Sequence, residues 1–242
     1  MTPPIPMPQA QTLMDDIERW HGLLSDRGNA HYPQPLNREQ VGYEPMHYFA
    51  LLPRLQPPAG RVLDWLYVGQ RNGSPFLYWR DTLAAAHTQP EQLFNEPGWM
   101  HNQDTQEAIA APVQADGSAE GWLQLVLLRQ CAGRTLLRWH AMYKSVTLVC
   151  SQGKLHQLVQ RCCAKDPDLA SMHPDAARAA LALDVIPTVD LSDPLTARVG
   201  MTRFTQWGGF YRQTWAMNRH GPHALRLEQE VLQVPYNCGL VM

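Results

Sequence analysis

Basic residues cluster in two segments of the chain that contain no acidic residue. No Asp or Glu lies between Glu120 and Asp166 or between Asp193 and Glu228, whereas each of these segments carries at least five Arg or Lys residues. A guanidinium group binds carboxylate or phosphate through two parallel hydrogen bonds, which suits Arg to holding an anion. The two segments therefore predict an anion-binding site, whose candidate ligand-binding residues are Arg134, Arg138, His140, Arg203 and Arg212.

The parity of these residues along predicted strands supports the same interpretation. Alternate residues of a strand point to the same face, so Arg134, Arg138 and His140 share a face if residues 134–143 form a strand. We expect Arg203 and Arg212 to share a face in the same way. The opposite parity is aromatic or apolar, with Phe204, Tyr211, Trp215 and Met217. The pattern predicts a small amphipathic anion as the ligand. The alternative is an antiparallel sheet with one hydrated face, on which Arg points into water.

An enzymatic function is the second hypothesis, and two groups would carry it. His140 would act as a base or a hydrogen-bond donor beside arginines that lower the pKa of its imidazole. Cys162 and Cys163 are adjacent, so we expect one to be buried and the other exposed. A thiol near Arg161 and Lys165 would have a lowered pKa, because cations stabilise the thiolate. The sequence identifies neither a catalytic residue nor a cofactor.

Metal-binding and nucleotide-binding motifs are missing from the sequence. The five cysteines contain no Cys-x-x-Cys pair, and His220 and His223 flank a Gly-Pro turn without a third ligand. We therefore predict no metal site. The chain contains no Walker loop, no Gly-x-Gly-x-x-Gly after a strand, no Gly-x-Ser-x-Gly and no His-Glu-x-x-His. These absences disfavour the common nucleotide and hydrolase scaffolds.

Two elements are predicted in the first third of the chain. Residues 12–27 predict a helix because Leu13, Ile17, Trp20 and Leu24 form one apolar stripe. Thr12 and Asp15 predict its capping box, and Gly28 predicts its end. Residues 61–80 predict a β-hairpin turning at Asn72-Gly73, whose second strand begins near Pro75. Asp64 lies within the first apolar strand, where we expect it to pair with an Arg.

Strands dominate the predictions for the rest of the chain, with short helices between them. Residues 121–130 and 134–143 predict paired strands, and residues 145–150 predict a third. Residues 154–163 fit either a helix or a hairpin strand, and helices are predicted at 88–94, at 103–111 and within 166–183. The last four predicted strands span 197–205, 210–218, 223–231 and 233–241. The fold class is α+β, mainly antiparallel β, as a meander or a lipocalin-like barrel with an N-terminal helix and helical insertions.

The composition favours a soluble, cytoplasmic protein. The 242 residues are 45% hydrophobic, and no apolar run approaches the length of a membrane helix. We predict a flexible proline-rich tail over residues 1–11 and a single β-rich domain over residues 12–242. The sequence pI of 6.5 argues against nucleic-acid binding. The first 121 residues carry seven arginines against 14 acids, and the last 121 carry 13 basic residues against eight acids. This asymmetry keeps a third hypothesis open, a scaffold whose oppositely charged halves bind a protein partner or a second copy.

Overall fold

A computed structural model describes the main part of the chain, residues 3–30, 38–67, 75–86, 108–132, 134, 146–164 and 170–239. The fold is α+β with mainly antiparallel sheets, as the sequence predicts. The chain divides into two compact units. The sheet unit comprises Met1–Met14, Lys144–Met217 and Arg226–Met242, and the hairpin unit comprises Asp15–Tyr143 and Asn218–Leu225. The single domain that we expected over residues 12–242 stays a prediction.

The elements follow one another in mixed order along the chain. The helices are α1 Ala10–Ala30, α2 Arg38–Val41, α3 Tyr48–Leu51, α4 Ala119–Cys131, α5 Gln152–Cys163 and α6 Pro174–Leu181. A 3-10 turn, Pro45–His47, precedes α3, and residues 108–110 are also helical. The strands are β1 Ile5–Pro6, β2 Leu55–Gln56, β3 Arg61–Tyr67, β4 Pro75–Asp81, β5 Gln114–Ala115, β6 Thr147–Val149, β7 Thr188–Asp190, β8 Thr196–Thr205, β9 Gly209–Asn218 and β10 Leu225–Pro235.

The sheet unit contains a six-stranded sheet in the order β1-β7-β8-β9-β10. Strand β6 pairs with β8 beside β7, because it occupies positions 202–204 of β8 while β7 occupies positions 198–200. Among the described strands, the two ends of this order are not paired with each other, so the closure into a barrel is not confirmed. Part of the segment expected to be a flexible tail belongs to this sheet, since Ile5 and Pro6 pair with Val189 and Thr188.

Helices α5 and α6 contribute to the main apolar core of the sheet unit. Leu155, Leu158 and Val159 of α5 pack with Phe204 and Phe210 of the sheet. Helix α5 begins at an N-cap, Ser151, whose hydroxyl accepts a hydrogen bond from the Lys154 amide at 3.1 Å. Residues 154–163, which fit either a helix or a hairpin strand, therefore form a helix, as this cap and the apolar stripe require.

The hairpin unit takes its name from β3 and β4, which pair antiparallel over their whole length. The predicted hairpin is confirmed, including the start of its second strand at Pro75. Its predicted turn at residues 72–73 lies outside the described residues. Asp64 is buried and forms an ion pair with Arg80, and it also accepts a hydrogen bond from the Trp65 amide at 2.8 Å. The expected Asp–Arg pair is therefore confirmed.

The strand predicted over residues 121–130 is wrong, because this segment forms helix α4. Ser118 caps the helix by accepting a hydrogen bond from the Gly121 amide at 3.0 Å. Trp122, Leu123 and the run 125–128 are completely buried, so apolar residues cover every side of the helix. A helix buried on all sides shows no 3.6-residue periodicity, which is why its sequence resembled a buried strand. The proposed partner strand, 134–143, lies outside the described residues except for Arg134.

Smaller differences concern the ends of elements. The predicted first helix is confirmed, but it begins at Ala10 and continues to Ala30, so Thr12 and Gly28 lie inside it instead of at its ends. The separate last strand predicted over 233–241 is wrong, since residues 233–235 complete β10 and residues 236–239 are irregular. The helix predicted at 88–94 lies outside the described residues. None of the described helices combines the length and apolar composition needed to cross a bilayer.

Candidate functional site

The described candidate residues lie in different units of the structure. Arg203 and Arg212 belong to the sheet unit, and Arg134 belongs to the hairpin unit. Arg138 and His140 lie outside the described residues, so their role stays a prediction. The three described arginines have different surroundings, so they differ in their ability to bind an anion.

Arg203 is neutralised by a carboxylate of its own sheet. Its Nη2 lies 2.8 Å from the carboxylate of Glu230 on β10, and its guanidinium stacks over the Tyr211 ring at 4.8 Å. The Gln213 amide also donates to Glu230. An incoming anion would have to compete with this carboxylate for Arg203.

The acid-free segment around Arg203 obtains its counter-charges from the last strand. Arg198 Nε donates to Glu228 at 2.8 Å, and the Arg198 Nη1 lies 3.7 Å from Asp193. The hydrogen bond to Glu228 raises the pKa of Arg198. Two glutamates distant in sequence, Glu228 and Glu230, thus neutralise arginines that have no acidic residue close behind them in the chain.

Arg212 has a different environment, because its hydrogen bonds go only to uncharged acceptors. Nη2 donates to Thr188 Oγ1 at 3.2 Å, and Nη1 donates to Thr202 Oγ1 at 3.4 Å and to the Ile186 carbonyl at 3.5 Å. No carboxylate lies within 4 Å of this guanidinium in the part of the chain that is described. Burial lowers the pKa of Arg212, while the more distant charge of Asp184 acts in the opposite direction.

The contacts of Arg203 and Arg212 do not overlap, so the two side chains do not form the joint site that the strand parity predicted. Arg203 stacks on Tyr211, and Arg212 donates to Thr202. Each arginine therefore contacts the chain neighbour of the other arginine, and the two share no partner among the described residues. The parity argument needed the relative register of β8 and β9, which only the tertiary structure supplies.

Gly200 makes room for the Arg212 guanidinium beside β8. A Cβ atom at this position would lie 2.8 Å from Thr188 Oγ1 and 2.9 Å from Arg212 Nη2. Thr188 is the register partner of Gly200, so the guanidinium lies over the point where β7 and β8 pair. Any side chain at residue 200 would displace Arg212 or Thr188. We call the group formed by Arg212, Thr188, Gly200 and Thr202 the Arg212 site.

The hydrogen bonds of Arg212 leave part of its donor capacity unused. A guanidinium has five N–H donors. The three described hydrogen bonds engage both hydrogens of Nη1 and one of Nη2. The Nε–H and the second Nη2–H make no described hydrogen bond. Nε and Nη2 form one side of the guanidinium fork, which donates in parallel to two oxygens of a carboxylate or phosphate.

Thr188, Gly200 and Thr202 were not among the residues singled out from the sequence. An isolated glycine inside a strand pattern suggests a close approach by another group, and Gly200 carries that signal. The two threonines carry none, because Thr is common in strands. Their role follows only from the pairing of β7 with β8.

Arg134 lies beside a buried cluster of polar aromatic residues in the hairpin unit. Its Nη2 donates to Gln130 Oε1 at 3.2 Å. His21 Nε2 lies 2.7 Å from the Tyr48 hydroxyl, which donates to the Cys131 carbonyl at 3.2 Å. This network joins the His21 imidazole and the Cys131 carbonyl through one hydroxyl. The neighbouring Tyr43 hydroxyl is also buried.

The groups of this cluster are held in their neutral forms. Burial, helped by the positive charge of Arg134, lowers the pKa of His21 to about 4. Burial raises the pKa of the Cys131 thiol to about 12 and that of Tyr48 well above its ordinary value. At neutral pH such a histidine is a weak base and such a thiol a weak nucleophile, so this cluster does not resemble an acid–base catalytic site.

The adjacent cysteines divide as expected, with Cys162 buried and Cys163 exposed. The lowered thiol pKa expected near Arg161 is wrong for Cys162. Burial raises the pKa of Cys162 to about 11, because the loss of hydration outweighs the nearby charge of Arg161. The described residues contain no group of three or more His, Cys, Asp or Glu placed to bind a metal.

Comparisons with protein-family models, with curated proteins and with solved structures find no match to this chain. The interpretation of the site therefore rests on its own geometry and chemistry.

Proposed function

We propose that this protein binds a small amphipathic anion and that Arg212 holds the acid group of the ligand. The observation that carries the proposal is the half-buried guanidinium of Arg212, which bonds only to uncharged acceptors and has no carboxylate within 4 Å among the described residues. Arg198 and Arg203 of the same sheet each have a glutamate at 2.8 Å. Within the described part of the chain, Arg212 is thus the arginine of this sheet without a carboxylate within 4 Å.

The energetics of burial support an anion as the missing partner. A buried charge costs free energy unless it is paired, and the lowered pKa of Arg212 reflects this cost. A carboxylate or phosphate on the unused Nε and Nη2 donors would offset the cost of burying the Arg212 charge through charge-assisted hydrogen bonds. The hydroxyls of Thr188 and Thr202 hold the guanidinium in place before the ligand arrives, which reduces the entropy lost on binding.

The residues around the Arg212 site favour a ligand that also has an apolar part. Ile186, whose carbonyl accepts from Arg212, is partly exposed, whereas Val149, the register partner of Thr202, is completely buried and closed to a ligand. The ligand would place its acid group on Arg212 and its apolar part against Ile186. This arrangement needs one face of a sheet, so it does not depend on the lipocalin-like barrel that the sequence also suggested. Arg134, Arg138 and His140 remain secondary candidates, whereas the ion pair with Glu230 makes Arg203 the weaker choice.

Calorimetric titration with matched probes tests the proposal. Octanoate and octyl phosphate carry both features of the predicted ligand, octanol lacks the charge, and acetate lacks the tail. We expect the two amphipathic anions to bind more tightly than octanol or acetate. Binding of neither amphipathic anion, or equal binding of octanol, would contradict the proposal.

Substitution of Arg212 locates the site. We expect Arg212→Gln to weaken octanoate binding about tenfold or more, since it removes both the charge and the fork. Arg212→Lys keeps the charge and loses the fork, so we expect an intermediate affinity. Arg203→Gln is the matched control, because that arginine is already paired with Glu230, and it should change the affinity little. Thermal unfolding of each variant verifies that it is folded. Equal affinity of Arg212→Gln and the wild type would refute the assignment.

A further inference from the structure

Strand β10 forms one edge of the six-stranded sheet and is unusually exposed. Its one strand neighbour among the described residues is β9. Residues 226–233 are eight consecutive exposed positions. A strand that packs one face on a core buries every second residue. Both faces of β10 are therefore open to solvent over this stretch.

Large apolar side chains are concentrated on this exposed strand. Leu227, Val231 and Leu232 are exposed by 42%, 45% and 47%. An edge strand with free main-chain donors and acceptors pairs readily with another strand, and proteins usually prevent this with lysine, proline or a bulge. β10 contains no lysine, and its single proline is its last residue, Pro235. This edge thus lacks the usual chemical protection.

The charges on β10 do not prevent an identical strand from approaching. Glu228 accepts hydrogen bonds from Arg198 and Arg226, and Glu230 accepts hydrogen bonds from Arg203 and Gln213. Both carboxylates are therefore compensated within their own chain. In an antiparallel pair of two copies centred on Gln229, Glu228 of each copy faces Glu230 of the other, and the arginines bound to both carboxylates offset the repulsion between them.

We propose that the protein forms a homodimer through antiparallel pairing of two β10 strands, with the two-fold axis at Gln229. This register places Leu227 of each copy opposite Val231 of the other, and Gln229 opposite itself. It also places Leu232 opposite the aliphatic stem of Arg226. Cross-strand apolar pairs and main-chain hydrogen bonds stabilise such an interface, and its symmetry closes it at two copies. A second copy is favoured as the occupant because the exposed Leu227 and Val231 are complementary across this two-fold axis. The inference is independent of the proposed ligand.

Sedimentation velocity measurements test the dimer. We expect the wild-type protein to sediment as a dimer and the variants Leu227→Lys and Val231→Lys as monomers, because lysine protects an edge strand from pairing. Leu195→Lys is the matched control, since Leu195 is 65% exposed in the same unit but lies outside β10. It should remain dimeric. A monomeric wild type, or a dimer that both β10 variants retain, would overturn the proposal.

Disulfide cross-linking tests the register. Residues directly opposite in an antiparallel pair have Cα atoms about 4.5–5.5 Å apart, within the range that a disulfide can bridge. Gln229→Cys should therefore form a covalent dimer on mild oxidation, in a Cys163→Ser background that removes the exposed native thiol. Gln233→Cys, also exposed on β10, would face position 225 and should not cross-link. Cross-linking at position 233 in preference to position 229 would overturn the proposed pairing.

Discussion

At the level of single residues, the close approach of Arg212 to Gly200 gives the site its character. The guanidinium needs the space that a glycine leaves, and the hydroxyls of Thr188 and Thr202 then fix its orientation. A glycine in a strand usually weakens the strand, because it has no side chain to pack. Because Gly200 has no Cβ atom, the Arg212 guanidinium can lie over the point where β7 and β8 pair.

The substitution Gly200→Ala should disturb the site. The added Cβ would lie within 3 Å of both Arg212 and Thr188, so we expect weaker octanoate binding and a loss of about 1–3 kcal/mol in the free energy of unfolding. Gly22→Ala is the control, because a Cβ at Gly22 meets no atom within 4 Å and alanine favours the helix by up to about 1 kcal/mol. Calorimetric titration and urea unfolding measure the two effects. Unchanged affinity in Gly200→Ala would argue against Arg212 as the ligand contact.

His21 should make the stability depend on pH. Its pKa is about 4 in the folded protein and about 6.5 in the unfolded chain, so between these values the unfolded chain binds the additional proton. We therefore expect stability to be unaffected by this group above about pH 6.5 and to fall as the pH drops towards 4. The loss should reach up to about 3 kcal/mol.

Urea unfolding at a series of pH values measures this effect. His21→Gln is the appropriate variant, because an amide can still donate to the Tyr48 hydroxyl but does not titrate. The variant should lose the part of the pH dependence that lies between pH 4 and 6.5. Identical pH profiles for the variant and the wild type would show that His21 does not titrate as the structure indicates.

At the level of elements, α4 is the most deeply buried helix among the described residues. Trp122, Leu123 and residues 125–128 are completely buried. We expect Leu127→Ala to lower the free energy of unfolding by about 2–5 kcal/mol through the lost burial and the cavity that remains. Leu23→Ala changes a leucine of α1 that is 57% exposed, and it should cost less than about 0.5 kcal/mol. Similar unfolding midpoints for the two variants would contradict the burial of α4.

Strand β10 contributes to two properties of the sheet unit. Its glutamates neutralise Arg198 and Arg203, which leaves Arg212 without a carboxylate within 4 Å among the described residues. No described strand pairs with its outer edge, where we propose that a second copy binds. Both properties follow from the position of this strand at the end of the sheet order.

At the level of the whole molecule, the opposite net charges of the two halves of the sequence do not correspond to two separate charged bodies. Within the sheet unit, Glu230 neutralises Arg203, and within the hairpin unit, Asp64 neutralises Arg80 and Asp116 lies 3.5 Å from Arg54. These pairs act over contact distances, so salt screens the partly exposed ones and affects the buried Asp64 pair less. A scaffold acting through its charged halves stays a prediction.

Features that depend on short-range patterns can be predicted from the sequence. The first helix follows from its apolar stripe, and the β3–β4 hairpin follows from strand formers around a turn, with Pro75 at the start of a strand. An arginine partner for Asp64 follows from the need of a carboxylate within a buried strand for a counter-charge, whereas its identity as Arg80 comes from the pairing of β3 with β4. The predominance of antiparallel strands in the second half follows from the spacing of the turns.

Contacts between residues distant in sequence depend on how the elements pack and pair. The apolar run of α4 has the same composition as a buried strand, so its type depends on the neighbours that surround it. The sequence contained all five candidate binding residues, but it could not show that Glu230 reaches Arg203 while Arg212 lies among Thr188, Gly200 and Thr202. The sequence gives the number and order of the charged residues, whereas strand pairing and register determine which opposite charges lie close enough to neutralise each other.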